Sequence, residues 1–361
     1  MTFDGDRTGF STRLNRSTPF EPRRWLLNGH LQTIVGNFLP RQDRLPTATT
    51  EIVRVPLPEE MLSLPGAVEM DRKIPSHVLL HCHWQAASTT AVVLIHGLEG
   101  SSYSQYVIGN ANRMFSAGFS VVRMNMRNCG NTEALTPTLY HSGMSGDVRA
   151  VLQWLIERGF ERIALVGYSM GGNLVLKAVG ELGGNAPKEL IGTAAISPPM
   201  DLAESADALH AKQNRVYEQK FLAGLRQRYK RKYQMYPAIF APAAFEHVRS
   251  IRDFDEYVMT PYCGFQGASD YYYRAASARV LDRIAVPAFI LHAMDDPFIR
   301  ITAETRQKIH ANPLIELLEP AHGGHCAFLE NPTATDDGRY AERLLLQFVQ
   351  QCIAATCEAT R

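Results

Sequence analysis

The chain of 361 residues could hold one large α/β domain with an insertion, or two ordinary domains, around a sizeable buried core. Its 45% apolar and 20% charged residues are those of a globular protein, and a net charge of +1 gives no electrostatic reason to expect nucleic acid or an acidic partner. No stretch approaches the roughly 18 apolar residues of a membrane span, and the six cysteines, without a CxxC pattern, read as reduced structural thiols of a cytoplasmic protein.

Residues 1–13 are polar and lack the apolar stretch of a secretory leader. Residues 1–24 as a whole, rich in Arg, Ser and Thr, are expected to form a loosely held arm. Residues 25–34 place apolar side chains at helix-like intervals around a turn signal. Residues 50–57 alternate as a strand, 56–75 read as a turn-rich connection, and 78–84 are a second strand. From Ala91 onward strands alternate with helices. Residues 91–95, a continuous apolar run, and 119–124, 163–166, 191–196, 288–291 and 314–318 are strand candidates, and 103–117, 145–158 and 340–353 are helices. Unbroken apolar runs suit strands buried on both faces, so the expected fold is α/β: a mostly parallel central sheet flanked by helices. Functional groups in that architecture gather beyond the carboxyl ends of the strands.

Residues 198–282 break the rhythm. They are helix-prone, basic between Lys212 and Lys232, and aromatic at Tyr271-Tyr272-Tyr273. They read as a helical cap inserted between two sheet strands, with 1–361 forming a single domain. The run Arg226-Gln227-Arg228-Tyr229-Lys230-Arg231-Lys232 is expected to be a solvated helix face; contact with anionic lipid headgroups or an acidic ligand is the alternative.

The chemistry centres on Gly167-Tyr168-Ser169-Met170-Gly171, which stands between a strand and a helix. A serine on so sharp a turn needs glycine two positions away on each side, because Cβ atoms there would collide. Its hydroxyl then points at a helix N-terminus, where free N–H groups favour negative charge. Serine is a poor nucleophile at neutral pH and needs a base, which in turn needs an orienting acid. The loop Ala293-Met294-Asp295-Asp296-Pro297-Phe298 follows one late strand and Pro320-Ala321-His322-Gly323-Gly324-His325 follows the next. Asp296 is preferred to Asp295 as the acid, and His325 to His322 as the base. Leu98, in His96-Gly97-Leu98-Glu99-Gly100, and Met170 are the expected oxyanion-hole N–H donors. Cys129 and Cys326 lack the elbow setting of a nucleophile. His81 and His83 share a strand face and read as partly exposed strand surface, and the pair His322 and His325 has no third candidate ligand nearby, so no metal and no cofactor are expected.

Further stretches carry a resemblance: Asn28-Gly29-His30-Leu31-Gln32-Thr33, His96 to Ser102, Asn125-Met126-Arg127-Asn128-Cys129-Gly130, Tyr140-His141-Ser142-Gly143, Gly167 to Asn173, Asp295-Asp296-Pro297-Phe298 and Gly323-Gly324-His325. Together they resemble the α/β-hydrolase superfamily, in the branch of YheT-type hydrolases and ABHD1/ABHD3-like lipases and esterases. The resemblance implies Ser169, Asp296 and His325 as a catalytic triad, and carboxylic esters, acylglycerols or phospholipid acyl chains as substrates. The resemblance implies a glycine in many relatives where Asn128 stands, and Tyr140-His141 looks like a family marker with a structural role. The expected function is therefore ester hydrolysis through an acyl-enzyme, on a small acyl ester or lipid. Acyl transfer to an alcohol, non-catalytic ligand binding, and lipase action at a membrane surface are the alternatives.

Overall fold

The computed structural model describes residues 19–242 and 245–359, so residues 1–18 of the expected arm lie outside the described residues. The remainder of that arm is tethered. Pro22 forms a β-bridge with Glu330, and the Arg23 guanidinium donates to the Glu330 carbonyl at 2.9 Å.

Eight strands form one sheet: β1 (Thr49–Arg54), β2 (His77–His83), β3 (Thr90–Ile95), β4 (Ser120–Met124), β5 (Arg162–Tyr168), β6 (Leu190–Ile196), β7 (Ala288–Leu291) and β8 (Ile315–Leu318). Their order is β1-β2-β4-β3-β5-β6-β7-β8. β2 runs antiparallel to both of its neighbours, and every pair from β4 to β8 is parallel. The apolar character of the strands has its expected cause: each residue of β3, β4, β6 and β7 is buried, Arg123 of β4 included, because helices cover both faces.

The helices are α1 (Gly29–Phe38), α2 (Ala67–Lys73), α3 (Gln105–Ser116), α4 (Ser145–Glu157), α5 (Met170–Leu182), α6 (Leu202–His210), α7 (Arg215–Met235), α8 (Ala268–Ala275), α9 (Ala303–Ala311) and α10 (Tyr340–Ala359). One apolar core lies between the sheet and α3 and α10. The other joins the opposite sheet face to α4, α5 and the helices of residues 198–282. Among the described residues no helix is long and apolar enough to cross a membrane.

Two expectations are corrected, and one helix forms that the sequence pattern does not announce. Residues 56–75 are not merely turns, since α2 forms within them. Its prolines flank the helix, and Glu69 near its start with Arg72 and Lys73 at its end suits the helix dipole. α9 went unpredicted because only Thr305 and Ile309 of its nine residues are buried, so no apolar stripe marks it. The basic run in α7 faces neither water nor lipid at its key positions. Arg228 binds both Glu99 carboxylate oxygens, at 2.9 and 3.2 Å, and donates to the Asn128 carbonyl. Arg231 pairs with Glu133 at 2.6 Å. Lys232 is fully buried and donates to the Glu133 and Thr136 carbonyls; burial pulls its pKa down to about 7. These cations fasten the cap to the loops over the sheet.

Candidate active site

β5 ends at Tyr168 and α5 begins at Met170, so Ser169 alone makes the turn, with φ 52° and ψ −122°. That is a conformation L-residues avoid, at a cost of roughly 1–3 kcal/mol, and it persists only where neighbours enforce it. A Cβ on Gly167 would strike the Gly171 carbonyl, and one on Gly171 would sit 2.5 Å from the Ile95 and His96 carbonyls. Behind the turn, the Tyr168 ring stacks on Tyr106 at 4.5 Å and its hydroxyl accepts from Asn110 at 2.8 Å. Asn173, one turn into α5, donates to the Ser142 and Ala275 carbonyls and accepts from the Ser277 amide. The elbow is thus pinned to the sheet on one side and to the cap segment on the other.

The loops after β7 and β8 converge on the serine. His325 Nε2 lies 3.0 Å from Ser169 Oγ, and its Nδ1 lies 2.8 Å from Asp296 Oδ2. With Nδ1 donating to the carboxylate, Nε2 is free to accept the hydroxyl proton. Asp296 is fully enclosed, and its other oxygen accepts from the Phe298 and Ile299 amides at 3.1 and 3.0 Å. The adjacent Asp295 does something else. It accepts from the Gly324 amide at 2.8 Å and faces His322 at 3.4 Å, bracing the loop that carries His325. α1 supplies a second brace, because Thr33 Oγ1 accepts the His325 amide at 2.8 Å.

Burial works against a charged His325, but the Cys326 sulfur and the Asp296 carboxylate outweigh it and raise its pKa to about 10. Burial also opposes ionisation of Asp296, yet the His325 ring and the loop amides hold its carboxyl below the usual value.

The loop after β3 lies directly against the serine: a side chain on Gly97 would stand 3.0 Å from Ser169 Cβ. Leu98 and Met170 both line the cavity that opens at Ser169. Neither of their amides has an acceptor among the described residues. The cavity is otherwise apolar, walled by Leu202, Leu209, Phe221, Leu225, Phe254 and Met259, with Phe298 packed on the His325 ring at 4.5 Å. Polar side chains interrupt it, among them Ser142, Ser205, Tyr140, Tyr271 and Tyr272, and two of them, His141 and Asp255, are titratable groups shifted by burial. His141 is buried and held neutral, its pKa pulled down to about 3 by burial and nearby cations. Asp255 is pushed up to about 7 by burial, although it accepts from the Tyr272 hydroxyl at 2.7 Å.

Several site residues escaped sequence reasoning. Glu99 takes the Tyr140 hydroxyl at 2.6 Å together with Arg228, so the residue after Leu98 is clamped from the cap. Asn128 has φ 64°, in the left-handed region that asparagine tolerates better than most residues. The rival features are otherwise engaged. Burial pushes the Cys129 thiol up to about 12, His81 contacts Ser102 at 2.8 Å, and His83 is buried against the Pro46 carbonyl. Among the described residues no three His, Cys, Asp or Glu side chains converge to hold a metal.

A family model described as alpha/beta hydrolase fold matches residues 90–332. An Escherichia coli (strain K12) relative, named as a candidate esterase, YheT, is 30% identical over 88% of this chain and 89% of its own. Human phospholipase ABHD3 is 26% identical, covering 75% of this chain and 66% of its own. The solved structure of Pyrococcus furiosus esterase Pf2001 shares the fold, with a TM-score of 0.53 at 13% identity over 84% of this chain and 91% of that one. The elbow at the end of β5, the eight-stranded order and these likenesses agree: the chain belongs to the α/β-hydrolase family, in the branch that contains YheT and ABHD3.

Proposed function

We propose that the chain hydrolyses carboxylic esters through an acyl-enzyme on Ser169. The observation that supports this best is the unbroken line from Ser169 Oγ through His325 to Asp296, at 3.0 and 2.8 Å, at the mouth of an apolar cavity. His325 takes the hydroxyl proton as Oγ attacks the ester carbonyl, and Asp296 stabilises the resulting imidazolium. The Leu98 and Met170 amides receive the oxyanion, each contributing about 3–4 kcal/mol of transition-state stabilisation. His325 then returns its proton to the departing alcohol, and water attacks the acyl-enzyme with His325 again as base. The cavity walls from α6, α7 and residues 251–259 take an apolar acyl chain, and relatives named for esterase and phospholipase chemistry support a lipid-like acid part.

Hydrolysis of p-nitrophenyl esters from acetyl to long acyl, with Ser169→Ala as the blank, tests the reading. The variant should lose at least about 10³-fold in kcat/KM while its circular dichroism and thermal midpoint match the wild type. Undiminished turnover by the folded variant would refute it.

A further inference from the structure

α1 is built inside out. Its buried face carries Gln32 and Thr33, at 0% and 7% exposure, while Leu31, Ile34 and Phe38 stand 39%, 45% and 72% exposed. The inward polar residues have work to do: Thr33 holds the His325 amide, and Gln32 exchanges hydrogen bonds with both the amide and the carbonyl of Leu329. The outward apolar residues are spaced three and four apart, so they form one stripe along the helix. Leaving three large side chains in water forfeits their burial energy, and contiguous exposed apolar surface marks an interaction site.

The stripe continues onto neighbouring elements. Trp25 precedes it at 58% exposure. On α7, Tyr217 stacks on His30 at 5.8 Å, beside Val216 at 79% exposure. Gly29 packs on the Asp295 backbone, next to Met294 at 70% exposure. The patch therefore borders the loops that carry Asp296 and His325. Unpaired cations stand beside it. Arg24, Arg215 and Lys220 are exposed, none pairs with a carboxylate among the described residues, and the Lys220 ammonium lies 5.4 Å from the Phe38 ring.

We propose that this face docks on a bilayer surface bearing anionic phospholipids. Leu31, Ile34 and Phe38 enter the headgroup boundary, Trp25 sits at its level, and the three cations meet the lipid phosphates. Docking brings the loops that carry Asp296 and His325 to the lipid. Its use to the protein rests on the ester-hydrolase reading, but the docking itself needs no chemistry.

Co-sedimentation of the full chain with vesicles tests this. Wild type should pellet with equal parts phosphatidylcholine and phosphatidylglycerol and remain in the supernatant with phosphatidylcholine alone. Leu31→Ser/Ile34→Ser/Phe38→Ser should weaken partitioning by at least about tenfold, and Lys220→Gln by about fivefold. Both variants should keep the wild-type thermal midpoint and turn over p-nitrophenyl acetate normally without vesicles. Phe38→Ser alone, with a smaller loss, serves if the triple variant misfolds. Ser169→Ala should bind vesicles like wild type, so loss of ester turnover and loss of docking are read separately. The proposal is overturned if wild type ignores the mixed vesicles, if Leu31→Ser/Ile34→Ser/Phe38→Ser or Lys220→Gln binds like wild type, or if binding is indifferent to phosphatidylglycerol. Sedimentation velocity showing a wild-type dimer that the triple variant abolishes would also overturn it, by assigning the patch to a second copy.

Discussion

His325 carries opposing influences on one proton, and their balance is measurable. Burial favours the neutral ring, while the Cys326 sulfur and the Asp296 carboxylate favour the imidazolium and prevail. Only the neutral ring can accept the Ser169 proton, so kcat/KM for a soluble ester should rise with pH through an ionisation above imidazole's ordinary value of about 6.5. Asp296→Asn removes one raising influence, so this limb should move to lower pH while the plateau falls by about 10⁴-fold. A wild-type limb at or below the ordinary value would contradict the stated balance. Ser169 and the two loops were legible as residue types because the turn tolerates so few sequences. The braces were not. Thr33 lies 292 positions from His325 and Arg228 lies 129 from Glu99, and no local pattern announces a partner at that distance.

α7 is where the sequence misled. A run of cations ordinarily faces water, but here Arg228 reaches under the cap to Glu99, the residue that follows Leu98. Removing one partner of so enclosed a pair leaves the other charge without its counterpart. Arg228→Met should therefore lower the unfolding free energy by about 3–5 kcal/mol, read by urea denaturation. Glu99→Gln combined with Arg228→Met should cost less than the sum of the single changes, because both remove the same contact. Additive losses would mean that the clamp contributes nothing of its own. α1 misled differently. Its apolar spacing suggested a helix, and a helix forms, but periodicity cannot say which face turns inward. The need to hold the His325 loop placed Gln32 and Thr33 inside and left the apolar stripe outside.

The alternation of strands and helices from Ala91 onward was readable because a parallel sheet covered on both faces selects strands that are mostly apolar. The cap was readable as an interruption of that alternation. What it packs against was not, since its contacts with the sheet join residues far apart in sequence. Leu222, Tyr229, Phe254 and Tyr271 share one apolar core with Val93, Leu165 and Leu174 of the sheet and α5. Cap and sheet should therefore unfold together, in a single urea transition seen alike by tryptophan fluorescence and far-ultraviolet circular dichroism. Two separated transitions would make the cap an independent unit.

The central claim concerns one hydroxyl, and intact-mass spectrometry after exposure to a fluorophosphonate probes it most directly. The wild-type chain should gain a single phosphonyl adduct, mapped by peptide sequencing to Ser169, and Ser169→Ala or His325→Ala should gain none at the same exposure. A folded wild type that remains unlabelled, or that carries its adduct on another residue, would contradict the account.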